Sequence, residues 1–206
     1  MAAVQPLPLS RFRVWADDAS ATVSPAGAPE TAVNEDFNRC IVVCDADIAS
    51  LQVDAIVNPT DTTMAHTSPI ASRIAAVAGP GLAQECAAAG KLTLGQALLT
   101  KGYGLPARSV LHTALPRYNA AYKAACAAAL AEALNSCLRI VASTSPPFKS
   151  IALPVLHSEE QGWPADWATR LMLRTLRTWM EAQPASPPLP TLVLVAECAR
   201  SAPDAP

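Results

Sequence analysis

Leu51-Gln52-Val53-Asp54-Ala55-Ile56-Val57-Asn58-Pro59 is the stretch on which the reading of the fold turns. Its centre, Ala55-Ile56-Val57, is apolar at three consecutive positions. Neither the period of 2 of a half-buried strand nor the 3.6 of an amphipathic helix fits it. A short apolar run closed by Asn58 and Pro59 suits a strand covered on both faces. Residues 41–43, 98–100, 109–113, 151–155 and 192–195 are runs of the same kind. Between them lie helical stretches. Residues 69–78 predict a short helix ended by Gly79-Pro80. Over 119–142, apolar residues recur at 122, 126, 130, 134, 137, 138 and 141, one continuous helical face. Over 164–181 they recur at 168, 171, 172, 175, 176, 179 and 180, and Pro164 suits a first helical turn. Arg170, Arg174 and Arg177 on the opposite face read as a solvated stripe. Strands interleaved with helices of this length predict an α/β sandwich around a central mixed sheet, with helices on both faces.

Working outward, the 206 residues make one domain with tails. Residues 1–37 show no persistent period, and Phe12, Val14 and Trp15 are their only bulky cluster, so a disordered tail is expected there. The domain is expected over 38–200, with four prolines between 183 and 190 as a stiff connector and 201–206 as a polar stub. Apolar types reach 51%, enough for a core, although much of that share is alanine. Only 16% of residues are charged and the net charge is -2, which excludes a histone-like nucleic-acid binder. The six cysteines include no CxxC pair and no histidine at zinc-finger spacing, so no metal site is expected, and Cys126 and Cys137 read as buried free thiols. Residues 1–9 lack a basic start and a continuous apolar run. No stretch holds the ~20 uninterrupted apolar residues of a membrane span. The expectation is a protein of the cytosol or nucleus, without membrane insertion.

Aspartates mark the strand ends. Asp45 and Asp47 follow the first run, and Asp54 and Asp61 bracket the second. Such a residue at a strand's C-terminal end suits a ligand hydroxyl or amino group, although most turn aspartates only bond nearby backbone. Of the three histidines, His112 sits inside an apolar strand and reads as a hydrogen-bonded core residue, whereas His157 is delivered to a strand end. Ser158 follows it without a G-x-S-x-G elbow, so a hydrolytic triad is not expected. The segment 151–181 reads strand, loop, helix, a form that brings backbone N–H groups to an anion. Its loop, His157-Ser158-Glu159-Glu160-Gln161-Gly162, carries two carboxylates and one glycine. At ~6 Å and an effective dielectric of about 20, each charge facing a diphosphate opposes it by on the order of 3 kcal/mol, before screening.

Several ordered motifs carry a resemblance. Ala46-Asp47-Ile48 followed by residues 51–58 resembles the opening of macro domains, which bind ADP-ribose. The likeness continues through Ala78-Gly79-Pro80, Glu85-Cys86, residues 99–103 running into Leu105-Pro106, Val110-Leu111-His112-Thr113 and Gly162-Trp163-Pro164. It spans about 40–196 and implies a macro-domain-like three-layer sandwich.

The resemblance implies adenine recognition by Asp47, through the exocyclic amine, with the backbone of Ile48 helping. It implies that Asn58 begins the stretch meeting the distal ribose. Asp61 stands where the family usually has a second asparagine, which keeps an acceptor and loses a donor. The first phosphate-side loop, normally glycines, is Thr67-Ser68-Pro69 before Ile70, and the second is the acidic loop with Gln161 where an aromatic usually stacks. The adenosine end is thus better kept than the diphosphate end. Loss of the positioning parts argues against cleavage. The favoured function is a degenerate macro domain acting as a binding or scaffold module. Its expected ligand is ADP-ribose, weakly held, or a related adenosine nucleotide, with adenine-rich (poly-A) RNA or an ADP-ribosylated protein as macromolecular forms. No cofactor is expected. Two alternatives stand: an ADP-ribosyl hydrolase using other residues, such as Asp61 with His157, and an interaction module with no nucleotide site.

Overall fold

The computed structural model describes residues 4–17, 34–155, 162–184 and 188–196. The strands are β1 (Leu7–Pro8), β2 (Ile41–Cys44), β3 (Leu51–Gln52), β4 (Ala55–Thr60), β5 (Ala97–Lys101), β6 (Ser109–Ala114), β7 (Ser150–Pro154) and β8 (Thr191–Val195). The helices are α1 (Glu35–Arg39), α2 (Pro69–Ala78), α3 (Pro80–Ala89), α4 (Lys123–Ser143) and α5 (Ala165–Ala182). Six strands form one sheet in the order β2-β8-β7-β4-β6-β5. All its pairings are parallel except that of β5 with β6. The sheet is therefore mixed, as expected, and all six anticipated strands belong to it.

Alternation along the strands divides the core in two. Ile56, Val110, Ala152 and Val193 face α2 and α3, where they meet Ile74, Leu82 and Cys86. Ala55, Val57, Leu111, Ile151, Leu153 and Leu192 face α4 and α5, against Leu130, Leu134, Leu138, Met172 and Leu176. Both faces of β4 are covered, which is why its sequence is apolar at consecutive positions. α4 and the turn before it, Ala120–Ser143, are long and apolar enough to cross a bilayer. Its apolar face, however, including Cys126 and Cys137, is buried in the second layer of the core. All five described cysteines are free thiols.

Two expectations need correction, and one, the end of α2 at Gly79-Pro80, holds but is incomplete. β4 runs on through Asn58 and Pro59 to Thr60 instead of closing at them. Its pairing with β7 stops at Ile56, so the proline lies where that neighbour no longer runs alongside, and its missing N–H leaves no gap there. Gly79-Pro80 does not merely end a helix. Gly79, at φ +82°, closes α2 by donating to the Ala75 carbonyl, and Pro80 is the first residue of α3. α3 escapes a periodicity reading because only Leu82 and Cys86 of its ten residues are buried.

The second correction concerns the described part, 4–17 and 34–37, of the tail expected over 1–37. Leu7-Pro8 pairs parallel with Leu51-Gln52, and Val14 bridges Val42 on edge strand β2. Leu7, Leu9, Phe12 and Val14 pack against the α2-side core. These residues strap the sheet edge in an irregular path, so no period betrays them. Asn34 caps α1 by accepting from the Phe37 N–H, and Phe37 packs against the other core. Ordered structure thus begins well before residue 38. Replacing Leu9 and Phe12 together by alanine is expected to lower the unfolding free energy by about 1.5–3 kcal/mol. Urea unfolding checks it, and an unchanged midpoint would mean that the strap carries no packing energy.

Candidate functional site

Toward the C-terminal ends of the parallel strands lie several of the residues singled out above, while Asp54 lies at the opposite end of β4. β2 leads through Asp45 and Ala46 to Asp47, which caps the short 3-10 turn Ile48–Ser50. One carboxylate oxygen, Oδ1, accepts from the Ala49 N–H at 3.0 Å. The Ser50 N–H and hydroxyl both donate to the Asp47 carbonyl, at 2.9 and 2.6 Å. Ile48 is buried beneath the turn. The second oxygen, Oδ2, accepts from Nε and Nη2 of Arg73, each at 2.7 Å. Arg73 stands on α2, so this ion pair ties the β2 turn to the neighbouring helix. The Asp47 side chain remains 33% exposed and that of Arg73 51%.

Asn58 lies within β4, which β8 and β7 separate from β2, and is wholly buried. Register puts it directly opposite His112. Its Nδ2 lies 3.1 Å from His112 Nδ1, while its Oδ1 has no partner among the described residues. On the far side of the ring, Nε2 lies 2.9 Å from Thr100 Oγ1 and 3.7 Å from Cys86 Sγ. A consistent assignment has the amide donating to Nδ1, Nε2–H donating to Thr100, and Thr100 donating to the Val110 carbonyl at 3.4 Å. His112 is thus a hydrogen-bonded core histidine, as its sequence position suggested. Burial, and then the nearby His66 ring, lower its pKa to about 4. The Cys86 thiol is raised by burial and by Glu85, so it stays protonated. Neither group offers a nucleophile or a solvent-facing base.

Beyond β4 the chain winds around Asp61. Its Oδ1 accepts from the Thr63 N–H and hydroxyl at 2.8 and 2.7 Å, and from the Ala65 N–H at 3.5 Å. Partial burial opposes ionisation, but the bonds from Thr63, Ala65 and Met64 outweigh it and hold the pKa below the usual value. The turn drives Met64 and His66 to φ +54°, a left-handed backbone uncommon for such side chains. The His66 ring lies 6.1 Å from that of His112, and neither of its buried nitrogens has a partner among the described residues. Burial lowers its pKa, against a smaller opposing pull from Asp61. Ser68 then caps α2 by accepting from the Ala71 N–H at 3.2 Å, and Ile70 packs into the core.

Gly162 has φ +73°. His157, Ser158, Glu159, Glu160 and Gln161 lie outside the described residues. The fold therefore brings Asp47 against Arg73 of α2, the helix that Ser68 caps and from which Ile70 packs into the core, and sets Asn58 in the sheet interior. Sequence reasoning missed Arg73, whose partner lies 26 residues earlier. It also missed the platform of Tyr118, Trp163 and Trp167, in which Trp163 and Trp167 stack at 5.8 Å and Lys123 lies 5.2 Å over Trp167. The Gly162-Trp163-Pro164 motif was its one sequence signal. Among the described residues no three metal-ligating side chains gather.

The histidines give this region a pH dependence. Both have folded pKa values below the unfolded value of about 6.5, so the unfolded chain binds more protons below that pH. Stability is complete above pH ~6.5 and is lost as pH falls toward the His112 value of about 4, by on the order of 3 kcal/mol in all. Urea titrations at pH 7, 6 and 5 are expected to show the decline, and His112→Gln to flatten most of it. Equal stability of the unaltered chain at all three would contradict the burial argument.

The sequence profile of the Macro domain family matches residues 57–172. Protein GDAP2 homolog of Nematostella vectensis is 36% identical over 151 residues, 72% of this chain and 30% of that protein. Human ganglioside-induced differentiation-associated protein 2 is 32% identical over 148 residues, 72% of this chain and 29% of that protein. The match thus spans about a third of these relatives' length. Among solved structures, the macro domain of ganglioside-induced differentiation-associated protein 2 superposes with a TM-score of 0.83 at 26% identity, covering 94% of this chain and 90% of that one. The Trypanosoma brucei macrodomain in complex with ADP gives 0.76 at 26% identity, covering 95% and 72%. In complex with ADP-ribose it gives 0.75 at 27%, covering 94% and 73%.

Proposed function

This chain belongs to the macro-domain family, and from that premise we propose that it binds an adenosine nucleotide of the ADP-ribose type as a recognition module, without cleaving it. The observation that carries the reading is the carboxylate of Asp47, held at the C-terminal end of a sheet strand by backbone and Arg73, yet one-third open to solvent. A fixed, partly exposed acceptor suits the exocyclic amine of adenine. The structural likeness to a macrodomain crystallised with ADP and with ADP-ribose supports the same ligand class. Adenine-rich RNA presents the same base edge, and an ADP-ribosylated protein the same nucleotide.

Recognition without hydrolysis is favoured by the state of the neighbouring groups. Asp61 replaces an amide with a carboxylate whose Oδ1 is taken up by its own turn. Ser68 is occupied as a helix cap, and Thr67-Ser68-Pro69 stands where the family carries glycines. Cleavage needs substrate and water held against the glycosidic carbon, and positioning of that kind supplies much of such a rate. The acidic residues Glu159 and Glu160 belong to the same proposal, as the reason for weak binding of a diphosphate.

Titration with ADP-ribose tests the reading. Loss of a charged hydrogen bond is worth ~1.5–3 kcal/mol, so Asp47→Ala is expected to weaken binding roughly 10- to 150-fold. Unchanged affinity would place the ligand elsewhere. Incubation with a mono-ADP-ribosylated protein is expected to release no ADP-ribose, and steady turnover would establish the hydrolase instead. Glu159→Gly is expected to tighten ADP-ribose several-fold while leaving adenosine, which lacks phosphates, nearly unchanged. An equal effect on both ligands would remove the repulsion argument.

A further inference from the structure

The tie that Arg73 makes between the β2 turn and α2 is not what anchors that helix. α2 is anchored through Ala71, Ile74 and Ala78, all buried, while Arg73 is half exposed on the outer side of the helix. An ion pair this exposed contributes little to stability. Its effect falls instead on what Asp47 can offer. A carboxylate has about four acceptor directions, two on each oxygen. The Ala49 N–H takes one on Oδ1, and the Arg73 fork takes both on Oδ2. One direction is left, on Oδ1.

That count separates the two purines. Guanine presents two parallel donors, N1–H and the N2 amine, which match a carboxylate with both oxygens open. Adenine presents one donor, the N6 amine, beside an acceptor, N1. With Oδ2 filled, guanine finds an acceptor for one donor only. Its second donor is left unpaired and turned toward a guanidinium that can only donate, which carries the full cost of an unmade hydrogen bond. Adenine loses nothing, since the single open direction is all it needs. Resting on the adenosine-binding reading above, we propose that Arg73 is a specificity-determining residue: by occupying Oδ2 it makes Asp47 a one-point acceptor that takes adenine and rejects guanine.

Calorimetric titration of the full 206-residue chain with ADP and with GDP tests this, for the unaltered protein and for Arg73→Ala and Arg73→Gln. The unaltered chain is expected to bind ADP about tenfold or more tightly than GDP, the scale of one well-placed base contact. Both variants are expected to narrow that gap by about tenfold, chiefly through tighter GDP binding, because Oδ2 is then open. Melting curves establish that each variant is folded. An ADP-to-GDP ratio equal in the unaltered chain and the variants would overturn the proposal, as would an unaltered chain that does not discriminate. Folded variants that lose ADP altogether would overturn it too, since Arg73 would then serve affinity and not selection. Binding of neither nucleotide by the unaltered chain is a different failure: it removes the adenosine reading itself, and the selectivity argument falls with it.

Discussion

The hydrogen bond between Asn58 and His112 holds the register on which the rest of the structure depends. It lies between the central strand β4 and its neighbour β6, in a wholly buried position. A slip of one residue would set Asn58 opposite Leu111 or Thr113 and break its pairing with the imidazole in the core, at a cost of several kcal/mol. Apolar contacts alone discriminate less, because the runs of β4 and β6 are apolar on both faces. The bond continues through His112 to Thr100 on β5, so three adjacent strands are keyed together. Keyed strands end at defined heights, and those ends are what the candidate site is built from.

Most of the architecture was legible because burial on both faces leaves a plain mark. A strand between two helical layers must be apolar at consecutive positions, and β4, β5, β6, β7 and β8 show this, whereas Val43 on edge strand β2 is exposed. α4 and α5 were legible for the complementary reason, each showing one apolar stripe. What escaped reading lacked periodicity. The N-terminal strap uses Leu7, Leu9, Phe12 and Val14 at intervals set by the irregular rim it covers. α3 contributes two buried residues and begins at a proline that reads equally well as the end of the helix before it.

The site was legible in part, and the division follows the range of the interactions. Asp47 could be singled out because it follows a strand, and its bonds to Ala49 and Ser50 are local. The bond to Arg73 is not local, and no spacing rule in a single sequence links a turn after β2 to the second turn of α2. Asn58 was read toward a ligand, and the fold shows what one sequence cannot: its neighbour across the sheet is a histidine with a complementary nitrogen. Loop strain at Met64 and His66 is likewise invisible, since it arises from the turn that Asp61 organises and not from the residues that bear it.

The aspartates around the strand ends differ in what their carboxylates hold. Asp54, at the opposite end of β4, accepts from the backbone of Lys149 and Ser150 and faces Arg108, so it joins β4 to β7. Asp61 closes its own loop. Both use their carboxylates to hold chain segments together. Asp47 also caps a turn, but with one oxygen, and its second oxygen is fixed by a side chain on a rigid helix. The acceptor direction that remains is therefore already ordered before any ligand arrives. Ordering a flexible acid on binding costs about 0.5–1.5 kcal/mol, which this arrangement avoids. Asp47 thus combines a fixed geometry with an open direction, and a recognition module needs both in the same group.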